Sequence, residues 1–280
     1  MRFSYKRAKT NRQFLAGFVL FMLVVLIALI ANLIAPYPYD KMDTNQKLQP
    51  PSWRHLCGTD DFGRDVLSRV LVGSRSSLFM GLGATAISVL IGVPLGLIAG
   101  FRGGRVDELI MRVMDIVMSF PPILLGLLIL AVTPPSLYKA VLAVGIVYIP
   151  TLARVTRSVT LSLTEEEFVL SAKASGETSP QIIFREIFPN ALPPIIVQAS
   201  LRVTLTILLG AALSFLGVGA QPPSSDWGLM ISEARPYVFE APWIAIFPGT
   251  IMCILVIGVN LLGDGLREIL DPRLRRRGLY

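Results

Sequence analysis

The chain has 280 residues, 53% of them hydrophobic and 16% charged, against about 25% charged in a typical soluble domain. That balance excludes an ordinary soluble globular domain and places the chain among membrane proteins. The net charge of +7 does not point to nucleic acid, because the basic residues gather at the termini and beside apolar runs, where retention of positive charge on the cytoplasmic side requires them.

In chain order, residues 1–13 form a polar segment carrying Arg2, Lys6, Arg7, Lys9 and Arg12. The apolar run 14–35 exceeds the about 7–15 residues of a signal-peptide core, so it reads as a retained first transmembrane helix. Further spans are predicted over 78–99, 113–132, 137–153, 194–218 and 242–262, the fourth being close to the shortest length that crosses about 30 Å of hydrocarbon. Six spans put both termini on one side. The basic N-terminal segment, together with Arg267, Arg273, Arg275, Arg276 and Arg277 near the other end, makes that side the cytoplasm. Parity then leaves 100–112 and 154–193 inside, and 36–77, 133–136 and 219–241 outside. Pro94, Pro121, Pro122, Pro150 and Pro248 fall within spans, where each removes a backbone donor and bends its helix.

The first outer loop, 36–77, carries six basic residues, among them Arg64 and Arg69, beside Asp60, Asp61 and Asp65. His55 and Cys57 lie in the same loop, and no second cluster exists to complete a four-ligand metal site. His55 therefore reads as an isolated polar loop residue. Cys57 in a loop and Cys253 in an apolar run do not suggest a structural disulfide.

The segment 164–189 is a charged insert among apolar runs. Glu165, Glu166, Glu167, Lys173, Glu177, Arg185 and Glu186 would each cost about 2.5–3.5 kcal/mol at the bilayer centre, so the segment lies in water or against a soluble partner. Thr164 followed by Glu167 is a capping-box spacing and predicts a helix start at Thr164. Gly176 suits the left-handed residue that ends a helix, Ser179 and Pro180 the cap and first turn of a second one, and Pro189 its stop. Ala172 and Gly176, four apart, are predicted to share a helical face that permits close approach.

Beyond this hairpin, Arg202 stands well inside the fifth span, either snorkelling, packing against a subunit or lining a path. Asn260 is a candidate interhelical hydrogen-bonding group. Asp115 and Asp264 are expected to pair with Arg112 and Arg267 three residues away. Gly217, Gly219 and the pair Pro222 and Pro223 predict a stiff outer turn before Trp227; the turn gates the outer mouth or meets an extracytoplasmic protein, the alternative being that Trp227 is an interfacial anchor.

The hairpin stretch FVLSAKASGETSPQIIFREIFPN resembles the EAA loop of the membrane subunits of ATP-binding-cassette importers. HLCGTDDFGRDVLSR, GGRVDELIMRVMD, LSFLGVGAQPPSSDWG and NLLGDGLREILDPRL extend the resemblance to the second permease subunit of the dipeptide, oligopeptide and nickel importer group. Leu170, Ser171 and Glu186 depart from the general EAA pattern. The resemblance implies an all-α polytopic membrane protein with six transmembrane helices in the type I ABC importer (MetI-like) permease fold. It further implies a permease core over 78–264, a coupling loop over 154–193 and a basic cytoplasmic tail over 265–280, with Ala172, Lys173, Ala174, Ser175, Gly176, Glu177, Thr178, Ser179 and Pro180 meeting the ATPase. The implied partners are a second, homologous permease subunit, two ATP-binding subunits that hold ATP and magnesium, an extracytoplasmic solute-binding protein and membrane lipid. No glycine-lysine pair of a phosphate-cradling GxxxxGK[ST] loop occurs in the chain, so it is expected to bind no nucleotide and catalyse nothing itself. The expected cargo is a di- or oligopeptide or a related small solute. A nickel or other small-solute importer and a stand-alone secondary transporter are the alternatives.

Overall fold

The computed structural model describes residues 11–132 and 134–270, so most of the predicted basic residues at the two ends lie outside the described residues. Nine helices carry the architecture among them, and no strand is present. Helix α1, Arg12–Ile34, opens on Asn11, whose side chain accepts from Phe14 N at 2.8 Å. At 1.5 Å per residue it is about 35 Å long, enough to span hydrocarbon.

Helix α2, Val66–Arg102, starts twelve residues before the predicted second span. Asp65 causes the early start, because its carboxylate accepts from Ser68 N at 2.8 Å and so caps the helix inside the expected loop. The expected third span over 113–132 is not one helix. Helix α3, Gly104–Met118, and helix α4, Pro122–Ala131, meet at an 89° bend. Pro121 and Pro122 supply the break, since neither offers a backbone N–H and Pro121 disfavours helical geometry at Phe120. Five helices are long and apolar enough to cross a membrane, or six if the bent pair is one span.

Helix α5, Leu137–Thr164, continues well past the predicted end at 153. It packs along α2 at very short range. A Cβ on Gly96 would sit 2.4 Å from Ala153 O, so this crossing admits only glycine. Short helix α6, Glu167–Ala174, leads to α7, Ser179–Phe215, which runs unbroken through a π-helical stretch at Ile182–Ile187. Helix α8, Trp227–Glu233, and α9, Trp243–Leu270, complete the set.

Helix α7 is central, touching α2, α4, α5, α8 and α9, while α1 lies along α9. Hydroxyl and amide groups cross-link the interior. Thr204 donates to Asn260 Oδ1 at 2.9 Å between α7 and α9, Thr206 to Gly81 O at 2.9 Å between α7 and α2, and Ser88 to Gly145 O at 2.8 Å between α2 and α5. In hydrocarbon each such bond is worth about 0.6–2 kcal/mol. Two apolar clusters cap the ends of this frame. One, around Trp227, Met230, Ile244 and Val70, lies under the first loop; the other, around Val169, Ile182, Ile187 and Leu97, lies under the hairpin.

Candidate functional site

The hairpin is built from two helix ends and a turn. Thr164 does not begin a helix: it is the last residue of α5, and its hydroxyl donates back to Leu161 O at 2.7 Å instead of capping a new start. Helix α6 begins at Glu167 after a bend at Glu165 and Glu166. Its end follows the Schellman pattern, with Gly176 at φ +81°, Gly176 N donating to Lys173 O at 3.1 Å and Glu177 N to Ala172 O at 3.2 Å.

The next helix is capped one residue earlier than the sequence suggests. Thr178, not Ser179, is the cap, and its N–H and hydroxyl both donate to Gln181 Oε1 at 2.8 Å. Pro180 then occupies the first turn. Pro189 does not stop this helix. The preceding stretch has widened to π geometry, with Phe188 N donating to Ile183 O, and Asn190 Nδ2 donates to Glu186 O at 2.7 Å.

Ala172 and Gly176 do not share a face. Ala172 is buried among Val169, Ile182, Leu97 and Phe101, whereas Gly176 lies beyond the helix end, with open space where a Cβ would stand. The outward surface consists of Lys173, Ala174, Ser175, Gly176, Thr178, Ser179 and Pro180. Leu170 and Phe184 are exposed on the same hairpin, 51% and 67% respectively, an unusual place for large apolar groups beside so much charge. Lys173 Nζ lies 5.6 Å from the centroid of the Phe101 ring and ties α6 to the end of α2. Glu177 Oε2 is buried without a hydrogen-bond partner.

Near the hairpin end, two ion pairs join α5 to α3. Arg157 Nη2 meets Asp107 Oδ2 at 2.5 Å, and Arg154 pairs with Asp115. Asp115 therefore takes a partner from another helix, while Arg112 pairs with Glu108 one turn away at 2.6 Å. Asp264 and Arg267 are not in ion-pair contact; among the described residues the pairs formed are those of Arg64, Arg69, Arg112, Arg154, Arg157 and His55.

The opposite end holds a second charged centre that sequence reasoning missed. Asp60 is fully buried and accepts from Arg64 Nε at 2.7 Å and Arg69 Nη1 at 2.6 Å. Glu233 of α8 completes it, with Oε2 3.2 Å from Arg64 Nη2 and 2.8 Å from Arg69 Nη2, the latter an ionic contact without hydrogen-bond geometry. Burial, with Asp60 and Glu233 nearby, pushes the Asp61 carboxyl above its ordinary range. The only signal of it in the sequence is the DDFGRDVLSR string, whose interspersed acids and arginines look the same as solvated loop charge.

His55 is likewise not isolated. Its ring is buried, with Nδ1 2.9 Å from Asp65 Oδ1 and Nε2 2.7 Å from Gln46 Oε1, and Tyr37 stacks beside it at 4.8 Å. Cys57 is buried in the apolar cluster beneath, and burial with Asp65 nearby pushes its thiol up to about 11. Both Cys57 and Cys253 are free thiols. No group of three or more metal-binding side chains occurs among the described residues.

Helix α7 ends in another Schellman turn, at Gly217, φ +82°, with Val218 N donating to Leu213 O at 3.1 Å. Gly219 packs on Ser214, and Pro222 and Pro223 follow. Trp227 is not an interfacial anchor: it is fully buried, and its indole N–H donates to Val70 O at 3.0 Å. Asp226 caps α8 by accepting from Leu229 N at 3.1 Å, and burial pushes its carboxyl above the ordinary range. Arg202 lies between α7 and α5, its guanidinium carbon 5.6 Å from the centroid of the Tyr148 ring.

Comparison with known proteins gives these features a context. Residues 92–276 match the family described as binding-protein-dependent transport system inner membrane component, and residues 4–51 match the N-terminal transmembrane domain of oligopeptide transport permease C. A dipeptide transport system permease protein of Alkalihalophilus pseudofirmus is 44% identical over 98% of this chain and 90% of its own length. The di/tripeptide transport system permease of Pseudomonas aeruginosa is 41% identical over 95% of this chain and 89% of its own length. The oligopeptide transport system permease of Bacillus subtilis is 38% identical over 96% and 88%. Among solved structures, a chain of the MetNI methionine ABC transporter, in an inward-facing conformation, superposes with a TM-score of 0.61 at 20% identity, covering 72% of this chain and 96% of that one. That likeness fixes the fold.

Proposed function

The chain belongs to the family of binding-protein-dependent transport system inner membrane components, and from that membership we propose that it is the second permease subunit of a peptide importer. It is a multi-pass permease subunit of an ATP-binding-cassette importer and not itself an enzyme. In the proposed assembly it pairs with a homologous permease subunit to enclose the path. Two separate subunits bind and hydrolyse magnesium ATP, and an extracytoplasmic solute-binding protein delivers di- or oligopeptides. Both termini, the α2–α3 turn and the hairpin face the cytoplasm, while the first loop and the α7–α9 connection face outward. In place of the limits expected from the sequence, the first helix is Arg12–Ile34, the outer loop ends where α2 begins at Val66, and the permease core, with the coupling loop 154–193, runs through α9 to Leu270 and so takes in the start of the expected tail.

One observation carries the reading. The second arm of the hairpin and the fifth span are a single helix, Ser179–Phe215, at the centre of the bundle. A rigid-body motion delivered to the exposed hairpin by an ATPase therefore enters the membrane without passing through a loop. Lys173, Ala174, Ser175, Gly176 and Thr178, with Leu170 and Phe184, form the docking surface. Ala172 supports it from beneath, and Glu177, Ser179 and Pro180 set the turn. Gly217, Gly219, Pro222 and Trp227 hold the outer mouth.

The test is purification of the tagged chain in mild detergent, with a cysteine at Ser175 for cross-linking. A second permease and two nucleotide-binding subunits should accompany it, and the cross-link should fall on a nucleotide-binding subunit. A chain that transports solute alone would overturn the proposal. Mass spectrometry of the solute carried by the cognate binding protein decides the cargo, a peptide being expected and a nickel chelate refuting that part.

A further inference from the structure

Arg202 differs from the other arginines inside the fold. Arg64, Arg69, Arg154 and Arg157 each meet a carboxylate of this chain. Arg75, on α2, donates to Ala28 O at 2.6 Å and Leu29 O at 3.1 Å. Arg202 is in ion-pair contact with no carboxylate among the described residues, although it lies about 20 Å along α7 from Phe215. The Arg154 and Arg157 ion pairs sit on α5 between Tyr148 and the hairpin end, so the level at which Arg202 meets Tyr148 is farther from the hairpin than these charged pairs.

Two uncharged groups hold it. With the Gln198 amide turned so that its oxygen faces the guanidinium, the orientation that satisfies both groups, it accepts from Arg202 Nη2 at 2.8 Å and from Nε at 3.2 Å, and the ring of buried Tyr148 lies against the guanidinium. An amide and a π face steady a cation without neutralising it. They occupy one edge and one face of the group and leave the Nη1 edge available. The side chain reaches back one turn along α7 to Gln198 and lies against Tyr148 of α5, so both of its contacts are inside the bundle. A charge in hydrocarbon costs about 2.5–3.5 kcal/mol on insertion scales, and such a cation is retained where it meets an anion or a wet path. The planar fork of a guanidinium that stays charged at all working pH values fits a carboxylate.

We propose that Arg202, steadied by Gln198 and Tyr148, receives the carboxylate of the transported solute as it passes through the bundle. The proposal rests on the peptide-importer reading, since every unmodified linear peptide carries a C-terminal carboxylate. It also places the recognising group on the helix that the hairpin drives, so motion of the hairpin moves the site.

The test uses the assembled transporter in detergent without its binding protein, with radiolabelled Ala-Ala at millimolar concentration as the probe. The wild-type complex should retain Ala-Ala, with displacement by unlabelled Ala-Ala and not by Ala-Ala amide. Arg202→Gln should weaken retention about tenfold, the scale of one charge-assisted hydrogen bond, and Arg202→Lys should restore part of it. Equal displacement by peptide and amide, or unchanged retention in Arg202→Gln, overturns the proposal. So does failure of Arg202→Gln to assemble, which assigns Arg202 to an acid of the second permease subunit. Uptake of Ala-Ala or penta-alanine by the wild-type system in vesicles, with its binding protein present, separates the two levels. Uptake without retention sinks only the Arg202 site; no uptake of either Ala-Ala or penta-alanine sinks the peptide reading.

Discussion

The two ends of the molecule treat charge in opposite ways. At the loop end, Asp60, Arg64, Arg69 and Glu233 turn inward and satisfy one another under a lid of loop and α8. At the hairpin end, Glu165, Glu166, Glu167, Lys173 and Arg185 face outward, and none is in ion-pair contact with another described residue. Charge consumed within a chain fixes shape, and charge left facing out is available to a partner. The loop end is therefore a clamp, and in the proposed assembly the hairpin is the handle, so substitutions at the two ends should fail in different assays.

The largest effect on stability is expected from Asp60→Ala. It leaves two fully buried guanidinium groups facing each other with Glu233 and a more distant Asp61, 4.0 Å from Arg64 Nη2, as their remaining carboxylates, and breaking a buried pair this way costs about 3–5 kcal/mol. The melting temperature of the purified complex should fall steeply, and the yield with it. An unchanged melting temperature would show that the clamp contributes no stability and would erase the contrast between the two ends.

Gly176→Ile should produce the reverse pattern. At φ +81° a β-branched residue costs at least about 1–2 kcal/mol, but no neighbouring atom lies within 4 Å, so the strain stays in the hairpin. The chain should insert and melt almost as wild type while ATP hydrolysis stimulated by loaded binding protein is lost. Gly176→Ala should fall between. Normal stimulation in Gly176→Ile would remove the hairpin from the coupling route.

How much of this contrast is legible in the sequence depends on how local its causes are. The apolar runs reveal the spans because burial in hydrocarbon acts on twenty residues at once. Gly176 is legible because a left-handed turn needs only its own residue. The bend at Pro121 and Pro122 was visible as two prolines but not as an 89° turn, since many membrane helices absorb proline. Pro189 misleads for the same reason, the helix having widened to π geometry just before it. Thr164 misleads because a threonine hydroxyl serves a helix start or its own last turn equally well. The clamp was illegible because Arg64 and Glu233 are 169 residues apart, and the burial of Trp227 because its acceptor, Val70, is 157 away.

A smaller effect should separate shape from charge at the loop end. The Asp226 carboxyl has its pKa raised by burial, so the folded state binds its proton more tightly than the unfolded chain does. Its contribution to stability is present at low pH and is lost as pH rises from the ordinary carboxylate range through the raised value. Asparagine caps a helix about as well as aspartate and needs no proton. Asp226→Asn should therefore be neutral or slightly stabilising at pH 7 and should flatten the pH dependence of melting above about pH 4. Destabilisation at pH 7 would mean that the charge itself is used.

The smallest effect on stability belongs to Leu170→Glu, and it tests the handle most directly. Leu170 is half exposed on α6, where the general EAA pattern has glutamate, so a leucine there implies an apolar counterpart in this assembly, and exchanging it should change stability by no more than about 0.5 kcal/mol. If the hairpin's apolar surface is the part that enters an ATPase groove, a carboxylate there meets a desolvated wall, and recovery of nucleotide-binding subunits with the chain should drop severalfold at unchanged melting temperature. Phe184→Glu should act in the same direction, since Phe184 is the more exposed of the two. A complex that holds its ATPases as firmly with both substitutions would mean that Lys173 to Pro180 alone make the contact, and that Leu170 is a local departure without a partner.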